Sequence, residues 1–537
     1  MRSGDGLVDG HARPRDACGV VGVIATAPPT ASGAAHGGVA DPAGLGGTCP
    51  SEADTAVAAR AYRGLAALQH RGDQSAGIAA GAAGRRTGRV AGPGPVRDAL
   101  ARADVDALRG DVAIGHVRYA TAGGLGAGNI QPIERQVGAV WFALAHNGNL
   151  VGAPQPADGS DLEPGASDSL TVAALLAEAL AGGASSFERA LCDLLPKLTG
   201  AYAFVLTDGT RLYGLRDPKG LRPLCLGRSG DALVFASETP ALTEMGAEFV
   251  REVQAGELVV ADASGIRSVR PFPAETVENR LCLFEFVYFS RPDGHLYDRS
   301  VYLTRWRAGA ALAVHAPLPS DGTRPDRETL VLPLPDSAIP AAEGYAARSG
   351  LPYGEALVRN REHGRSFLAA AQDERERRAA SKFRLIPELV RGKRLVVVDD
   401  SLVRGTTTRA VTAQLRAAGA AEVHLRIASP PWRWPCPLGI DVGSHGELAA
   451  ATSTLSAIRD ELGVDSLNYL PLDQLIDAVG APAGKFCTGC LTGDYPVRVP
   501  TVPGQRPDDV LVPAPAGCVS RTVRTAHHRS IRKEPQR

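Results

Sequence analysis

A chain of 537 residues with 58 Lys and Arg against 58 Asp and Glu carries no formal net charge, so it has length for two or three domains with full cores and no global electrostatic pull toward nucleic acid or an acidic membrane. The N-terminus lacks the apolar core of a signal peptide, and no uninterrupted apolar run reaches the length of a membrane span, which points to the cytoplasm. Nine cysteines are an awkward disulfide set for so large a chain; a reducing compartment directs them to catalysis, metal ligation or burial.

Cys18 precedes an apolar run, Val20 to Ile24, that reads as a strand. Ala25 to Ser51, rich in Ala, Gly and Pro and without apolar periodicity, reads as a surface loop ahead of a helix over Ala58 to Leu68. A single cysteine before a strand is ordinarily a small packed thiol. Its context is different here. Downstream follow Leu68-Gln-His-Arg-Gly72, Ser75-Ala-Gly-Ile78, Gly115-His-Val-Arg-Tyr-Ala-Thr121, His146-Asn-Gly-Asn149 and Ser167-Asp-Ser169. Together and in this order they resemble the glutamine amidotransferase domain of the N-terminal-nucleophile hydrolases, covering Cys18 to Ala263.

That resemblance implies an αββα sandwich in which the Cys18 thiolate attacks the carboxamide of glutamine and the α-amino group of the same residue acts as base. Cys18 must then become the first residue, so Met1 to Ala17 are expected to be a propeptide. The same resemblance assigns the oxyanion donors to Asn147 and Gly148, the α-carboxylate of glutamine to Arg118 and its α-ammonium to Asp168. In isolation Arg118 and Asp168 read equally well as a surface ion pair or a helix cap. His116 and His146 read as core or loop histidines. Two departures concern the rim of the pocket: Asp73-Gln74 replaces the usual Gln-Glu pair, and Val151 to Ala166 is short and rich in Pro and Gly.

In the second half, Leu330-Val-Leu-Pro-Leu-Pro-Asp-Ser337 reads as a strand ending in a polar turn, followed by a small-residue helix with Tyr345. A dense basic stretch follows, from Arg359 through Arg375 to Lys382, which by charge pattern alone is a solvated helix face. Then comes Arg394-Leu-Val-Val-Val-Asp-Asp-Ser-Leu-Val-Arg-Gly-Thr-Thr-Thr408, a strand, a loop and a helix continuing through Val411, Leu415 and Ala418. In such a unit the loop amides and the helix N-terminus face one point, where a phosphate accepts N–H bonds and Thr406 and Thr407 add hydroxyls. Asp399 and Asp400, at the carboxyl end of the strand, suit ribose hydroxyls or a hydrated Mg²⁺; the plainer reading is a turn and a helix cap. Four further cysteines stand at Cys282, Cys436, Cys487 and Cys490. Four thiolates suit a [4Fe–4S] cluster or tetrahedral zinc, and their spacing does not choose between them.

The Val-Val-Asp-Asp-Ser-Leu-Val-Arg-Gly-Thr-Thr wording resembles the ribose-phosphate signature of type I phosphoribosyltransferases, in the version carried by the amidophosphoribosyltransferase family. The resemblance implies a Rossmann-like second domain over 264–499, so the chain as a whole combines α+β and α/β parts; beyond it, Pro503, Pro507, Pro513, Pro515 and a basic end make a disordered tail the expectation over 500–537. It assigns Asp399, Asp400, Ser401, Arg404, Gly405, Thr406, Thr407 and Lys382 to phosphoribosyl pyrophosphate, with the basic stretch as a closing lid. Ser337, Asp399 and Asp400 are assigned to Mg²⁺, although Ala338 stands where relatives often have Gly. It also assigns Cys282, Cys436, Cys487 and Cys490 to a [4Fe–4S] cluster, leaving Cys49, Cys192, Cys225 and Cys518 as ordinary thiols. The implied activity is glutamine-dependent formation of phosphoribosylamine, by a homotetramer or dimer inhibited by purine nucleotides. A specialised paralogue and a non-catalytic sensor are the rivals, and the intact Cys18, Arg118, Asn147, Asp168, Asp399 and Asp400 speak against the sensor. A glucosamine-phosphate synthase or an asparagine synthetase has no reason to carry Asp399-Asp400-Ser401 with Gly405-Thr406-Thr407.

Overall fold

Residues 18–26, 57–119, 126–157, 166–318, 328–359, 383–440, 442 and 444–499 of the computed structural model are described below. The expected propeptide, most of the Ala25 to Ser51 loop, the basic stretch with Lys382, Cys49 and the tail lie outside them.

Alternation along the strands builds the first half. In β1 (Gly19–Ala25) the buried Val20 and Ile24 belong to one core and the buried Val21 and Val23 to another, as a strand covered on both faces requires. Helix α1 (Val57–Ala67) packs Leu65 against Val21 and Val23. β2 (Ser75–Ala82), β3 (Arg85–Pro93), β4 (Val112–Arg118), β9 (Cys225–Ser229), β10 (Ala232–Ala236) and β11 (Glu248–Glu252) join β1 in one seven-stranded sheet, in the order β11-β9-β10-β1-β4-β2-β3.

The second sheet has six strands: β5 (Ile133–Val137), β6 (Val140–Gly152), β7 (Thr199–Thr207), β8 (Leu212–Arg216), β12 (Leu258–Asp262) and β13 (Gly265–Val269), in the order β13-β12-β8-β7-β6-β5. Between the sheets Val20, Ile24, Trp141, Ala143, Val205 and Phe235 share a core. The outer face, with Phe142 and Leu144, is covered by α2 (Asp168–Ala181) and α3 (Phe187–Leu194) through Val172, Leu176 and Phe187. The result is helix, sheet, sheet, helix. The boundary expected after Ala263 falls in the turn of the β12–β13 hairpin, because Asp262 pairs with Gly265 and the sheet runs on to Val269.

The second half is built on parallel pairing. β14 (Leu281–Cys282) leads into a π-helical turn, Glu285–Phe289, and then α4 (Val301–His315). Strands β15 (Thr329–Pro333), β16 (Arg394–Asp399), β17 (Glu422–Ile427) and β18 (Ser466–Tyr469) form a parallel sheet in that order, and β19 (Phe486–Cys487) pairs in parallel with β14. Val331, Val396 and Val398 bury one face with α4 and α5 (Ile339–Ser349), while Leu395, Val397 and Leu425 bury the other under α6 (Thr406–Ala417). Ligands of such a doubly covered sheet bind at the carboxyl ends of its strands. No helix among the described residues is long and apolar enough to cross a membrane. The compact unit ends at Arg498.

Helices α4 and α5 touch backbone to backbone. A Cβ on Gly309 would lie 1.8 Å from Ala341 O and one on Gly344 would lie 1.9 Å from Trp306 O. This crossing anchors the start of α5, which follows directly from Ser337. Gly344→Ala is expected to destabilise the protein by about 1–3 kcal/mol or more, read as a lower apparent unfolding midpoint and a larger loss in the second half's chemistry than in the first's.

A buried ion network seals the two halves together. Arg71, from the Gln-His-Arg-Gly segment, donates from Nε to Glu238 Oε1 and from Nη2 to Glu285 Oε2 at 2.5 Å. Glu238 also faces His70 Nε2 at 2.7 Å and accepts from Arg291 N at 2.9 Å, and Glu285 accepts from Ser290 Oγ at 2.8 Å. Burial alone would raise the Glu238 carboxyl; Arg71, then His70 and the Arg291 amide, hold it well below the usual carboxylate range. A depressed folded pKa contributes stability that is full above the unfolded value of about 4.3 and is lost as pH falls through the folded value. Arg71→Met is therefore expected to cost about 3–5 kcal/mol near neutral pH by stranding two buried carboxylates, and its deficit relative to wild type should shrink in acid, as denaturant titrations across pH would show.

Two candidate active sites

Three strand ends gather the first site. Gly19 of β1 pairs with Val117 of β4, and Ser75 of β2 pairs with Arg118, so Cys18 and Arg118 lie at the same edge of the seven-stranded sheet. Cys18 is buried, and its Sγ donates to Tyr119 O at 3.6 Å. Arg118 is buried too; desolvation lowers its pKa, while Cys18 and Asp168 oppose that shift, which puts the thiol and the carboxylate in its electrostatic neighbourhood.

Asp168 opens α2. Its Oδ2 accepts from Leu150 N and its Oδ1 from Ser169 N, at 2.9 and 2.8 Å. Burial would raise its pKa, but His146 and the two amides outweigh that and keep the carboxyl below its ordinary range. His146, read as a core histidine, is thus an electrostatic partner of the site: its Nδ1 is 3.6 Å from Asp168 Oδ1 and 3.1 Å from Ser169 Oγ. Gln131 tightens this cluster, accepting from His146 N at 2.7 Å and donating to Ser169 Oγ at 3.1 Å. His116 sits behind it, with Nε2 3.0 Å from His146 O; burial pushes its pKa down to about 3, so it is neutral.

Asn147 and Gly148 stand on β6, paired with Ala203 and Tyr202 of β7. Both polar atoms of the Asn147 amide are buried without a protein partner. An unsatisfied buried amide is costly unless something binds it. Gly148 has φ +144°, and a Cβ there would lie 2.0 Å from Ala201 O, so only glycine fits.

The second site lies at the carboxyl ends of β15 and β16. Asp399, Asp400 and Ser401 are buried; Ser337 Oγ donates to Asp400 Oδ2, Ser401 Oγ donates to Asp400 Oδ1 at 2.6 Å, and Asp400 N donates to Asp399 Oδ1 at 2.9 Å. Gly405, with φ +76°, delivers the chain into α6, whose first turn holds Thr406 and Thr407; the Thr407 hydroxyl is buried and without a protein partner. Arg404 is turned to Glu447, with Nε 2.9 Å from Oε2. Ala338 takes φ −84° at the start of α5, a conformation that needs no glycine.

Arg305 carried no motif in the sequence, yet it closes the floor of this site. Its Nε donates to Phe286 O at 2.8 Å and its Nη2 to Ser290 O at 2.7 Å; burial pushes its pKa down to about 10, with Asp400 the foremost acid opposing the shift. A cavity with room for a single water is lined by Phe286, Arg305, Ser337 and Asp400.

The four expected ligand cysteines converge. Cys282 and Cys487 are direct partners in the β14–β19 pair, and Arg433 N and Trp434 N, in the segment leading to Cys436, both donate to Cys490 O at 3.0 Å. Burial pushes the Cys487 thiol up to about 12 and those of Cys282 and Cys490 well above the usual range, with neighbouring cysteines raising each further. No group of three or more His, Cys, Asp or Glu side chains among the described residues is arranged to hold a single metal ion. Cys225 and Cys192 are apart, the first buried and the second half-buried.

A profile described as a glutamine amidotransferase domain matches residues 116–244. The amidophosphoribosyltransferase of Mycobacterium tuberculosis (strain ATCC 25618 / H37Rv) is 43% identical over 459 residues, covering 83% of this chain and 84% of the relative. That of Synechocystis sp. is 39% identical over 509 residues, covering 93% and 95%. Among solved structures, the glutamine phosphoribosylpyrophosphate amidotransferase of B. subtilis complexed with ADP and GMP matches with a TM-score of 0.76 at 34% identity, over 90% of this chain and 98% of that one. A structure titled as the allosteric regulatory enzyme of purine biosynthesis matches with a TM-score of 0.77 at 35% identity, over 92% and 98%. On this likeness, with an N-terminal-nucleophile sandwich and a phosphoribosyltransferase sheet in one chain, the protein belongs to the amidophosphoribosyltransferase family.

Proposed function

We propose that this enzyme converts phosphoribosyl pyrophosphate, glutamine and water to 5-phosphoribosylamine, glutamate and pyrophosphate, the first step of de novo purine synthesis. The observation that carries the reading is the presence, within one compact unit, of a buried thiol beside Arg118 and Asp168 and, in the other half, of a Ser337–Asp400 hydrogen bond with a buried, unpartnered Thr407 hydroxyl in the helix that follows.

At the first site Cys18, once it is the terminal residue, attacks the carboxamide carbon while its own amine takes the thiol proton; that proton passes to the leaving nitrogen as the C–N bond breaks and ammonia departs, and water then hydrolyses the thioester to release glutamate and the thiol. Asn147 Nδ2 and Gly148 N–H donate to the oxyanion, which gives the otherwise unsatisfied Asn147 amide its partner. Arg118 holds the α-carboxylate and the ionised Asp168 the α-ammonium; a carboxylate retains acceptor capacity beyond its two amide bonds. Neutral ammonia then reaches the second site internally, where it displaces pyrophosphate from C1 of the sugar. Exclusion of water matters because protonated ammonia is not a nucleophile.

At the second site the α6 N-terminus with Thr406 and Thr407 would receive the 5-phosphate, Asp399 and Asp400 the ribose hydroxyls, and Lys382 with its basic neighbours would close over pyrophosphate. Ser337, Asp399 and Asp400 would hold Mg²⁺, which supplies charge neutralisation to the leaving group. Such an ion keeps waters and takes substrate oxygens, so the lack of an all-protein cage among the described residues fits it.

Cys282, Cys436, Cys487 and Cys490 would hold a [4Fe–4S] cluster. A single zinc draws its thiolates in to about 2.3 Å from one point, whereas a cluster spreads them over separate irons. Thiols that the β14–β19 pair and the bonds to Cys490 O bring to one region suit the cluster. Its role is to tie β19 to β14. A cytoplasmic homotetramer or dimer, inhibited by purine nucleotides like those in the B. subtilis complex, completes the proposal.

In anaerobically purified protein, glutamate and pyrophosphate are expected to appear together when both substrates are present. Cys18→Ala should lose glutamine-driven turnover by at least about 1000-fold and keep ammonia-driven pyrophosphate release; glutamate without pyrophosphate in the wild type would sink the transferase reading. Thr407→Val should raise KM for phosphoribosyl pyrophosphate roughly tenfold or more, as loss of a hydrogen bond to a charged group implies. Iron and acid-labile sulfide should be present in equal amounts and be lost in Cys436→Ser; zinc in their place would refute the cluster.

A further inference from the structure

The His146-Asn-Gly-Asn149 motif leaves its last residue without a role in the chemistry above. Asn149 follows Gly148 on β6, and its Nδ2 donates to Pro437 O at 2.9 Å, across a separation of 288 residues. Pro437 is the residue after Cys436. The same turn is held a second time: Arg222 Nη2 donates to Leu438 O at 3.1 Å, while its Nη1 lies 3.4 Å from Glu285 Oε1. Gly439 then passes over the strand with φ +100°, so close that a Cβ there would lie 3.1 Å from Gly148 C, 3.3 Å from Asn149 N and 2.9 Å from Arg222 Nη2.

Gly148 is therefore enclosed from two sides. On β7, Ala201 O blocks any retreat, since it lies 2.0 Å from the Gly148 Cβ position. On the other side stands the Pro437–Gly439 turn. An oxyanion donor stabilises a developing charge only if it is already in place, and a displacement of about 1 Å can cost 10²-fold in rate.

We propose that Asn149 and Gly439 are positioning residues for glutamine hydrolysis: the turn that follows Cys436 is the outer wall that sets the Asn147–Gly148 oxyanion donors. The proposal rests on the glutaminase reading of the first site. It makes the thiol-bearing segment of the second half a working part of the first.

The test uses full-length enzyme matured to Cys18, with Asn149→Ala and, from the opposite side of the contact, Gly439→Ala. Glutamine hydrolysis should lose roughly 10- to 100-fold in kcat, with KM for glutamine changed by no more than about twofold, the pattern of an interaction felt only in the transition state. Ammonia-driven pyrophosphate release, bound iron and the rate of Cys18 alkylation by iodoacetamide should stay at wild-type values, because displacement at a saturated carbon forms no oxyanion. Wild-type kcat in Asn149→Ala overturns the proposal. So does a parallel fall of glutamine- and ammonia-driven activity, or a loss of iron, either of which would make the contact a general structural one. Wild-type enzyme that releases no glutamate at all removes the glutaminase reading and this inference together, and that outcome is distinct from the others.

Discussion

A buried ion network around Glu285 joins the two halves of this molecule. Arg71 reaches it from the first half beside the strands that carry Cys18, Arg222 reaches it while holding the turn after Cys436, and Arg305 runs past it toward Asp400. Charges this deeply buried survive only when each is paired and hydrogen-bonded. The π-helical turn that presents Glu285 also presents Phe286, whose carbonyl accepts from Arg305 and whose ring lines the small cavity at Asp400. Neither half can shift against the other without separating opposite charges in a medium that screens them poorly.

Two of the buried polar groups left without protein partners stand at the candidate sites. In a core with so many satisfied guanidiniums, the Asn147 amide and the Thr407 hydroxyl are both buried and unpaired. One lies on the strand next to the thiol's sheet edge and the other in the first turn of the helix after the Asp399-Asp400 loop. On the proposed function each would meet a charge that arrives with substrate, an oxyanion in the first case and a phosphate in the second. Burial likewise keeps the thiols of Cys282, Cys487 and Cys490 protonated.

Much of this was legible in the order of residues. Val20 to Ile24 and Leu395 to Val398 are apolar runs too continuous for anything but covered strands, and the Asp399-Asp400 to Thr407 loop announces its helix by the change of period. Cys18, Arg118, Asn147 and Asp168 stand out as candidates because motifs resembling those of a known family occur in order along the chain. A histidine beside apolar residues carries no signature of its own, so only the α2 N-terminus, brought against β6, reveals His146 as the partner of Asp168. Arg305 sits in a helix whose pattern is ordinary, and its role exists only because α4 runs beneath the carboxyl end of β16. The division after Ala263 failed by a hairpin, since a turn signal cannot tell whether the next strand returns to the same sheet.

The sequence by itself determined the covered strands Val20 to Ile24 and Leu395 to Val398 and the helix that follows the Asp399-Asp400 loop, because periodicity and local turn chemistry are written within a few residues, while the candidate reacting groups rest on the resemblance of motifs in order. Only the tertiary structure decided how Pro437 and Gly439 meet Asn149 and Gly148, that Arg404 turns to Glu447, and that Arg71, Glu238 and Glu285 lock the halves. Those contacts join residues scores to hundreds of positions apart, and nothing local in the chain encodes which buried charge will face which.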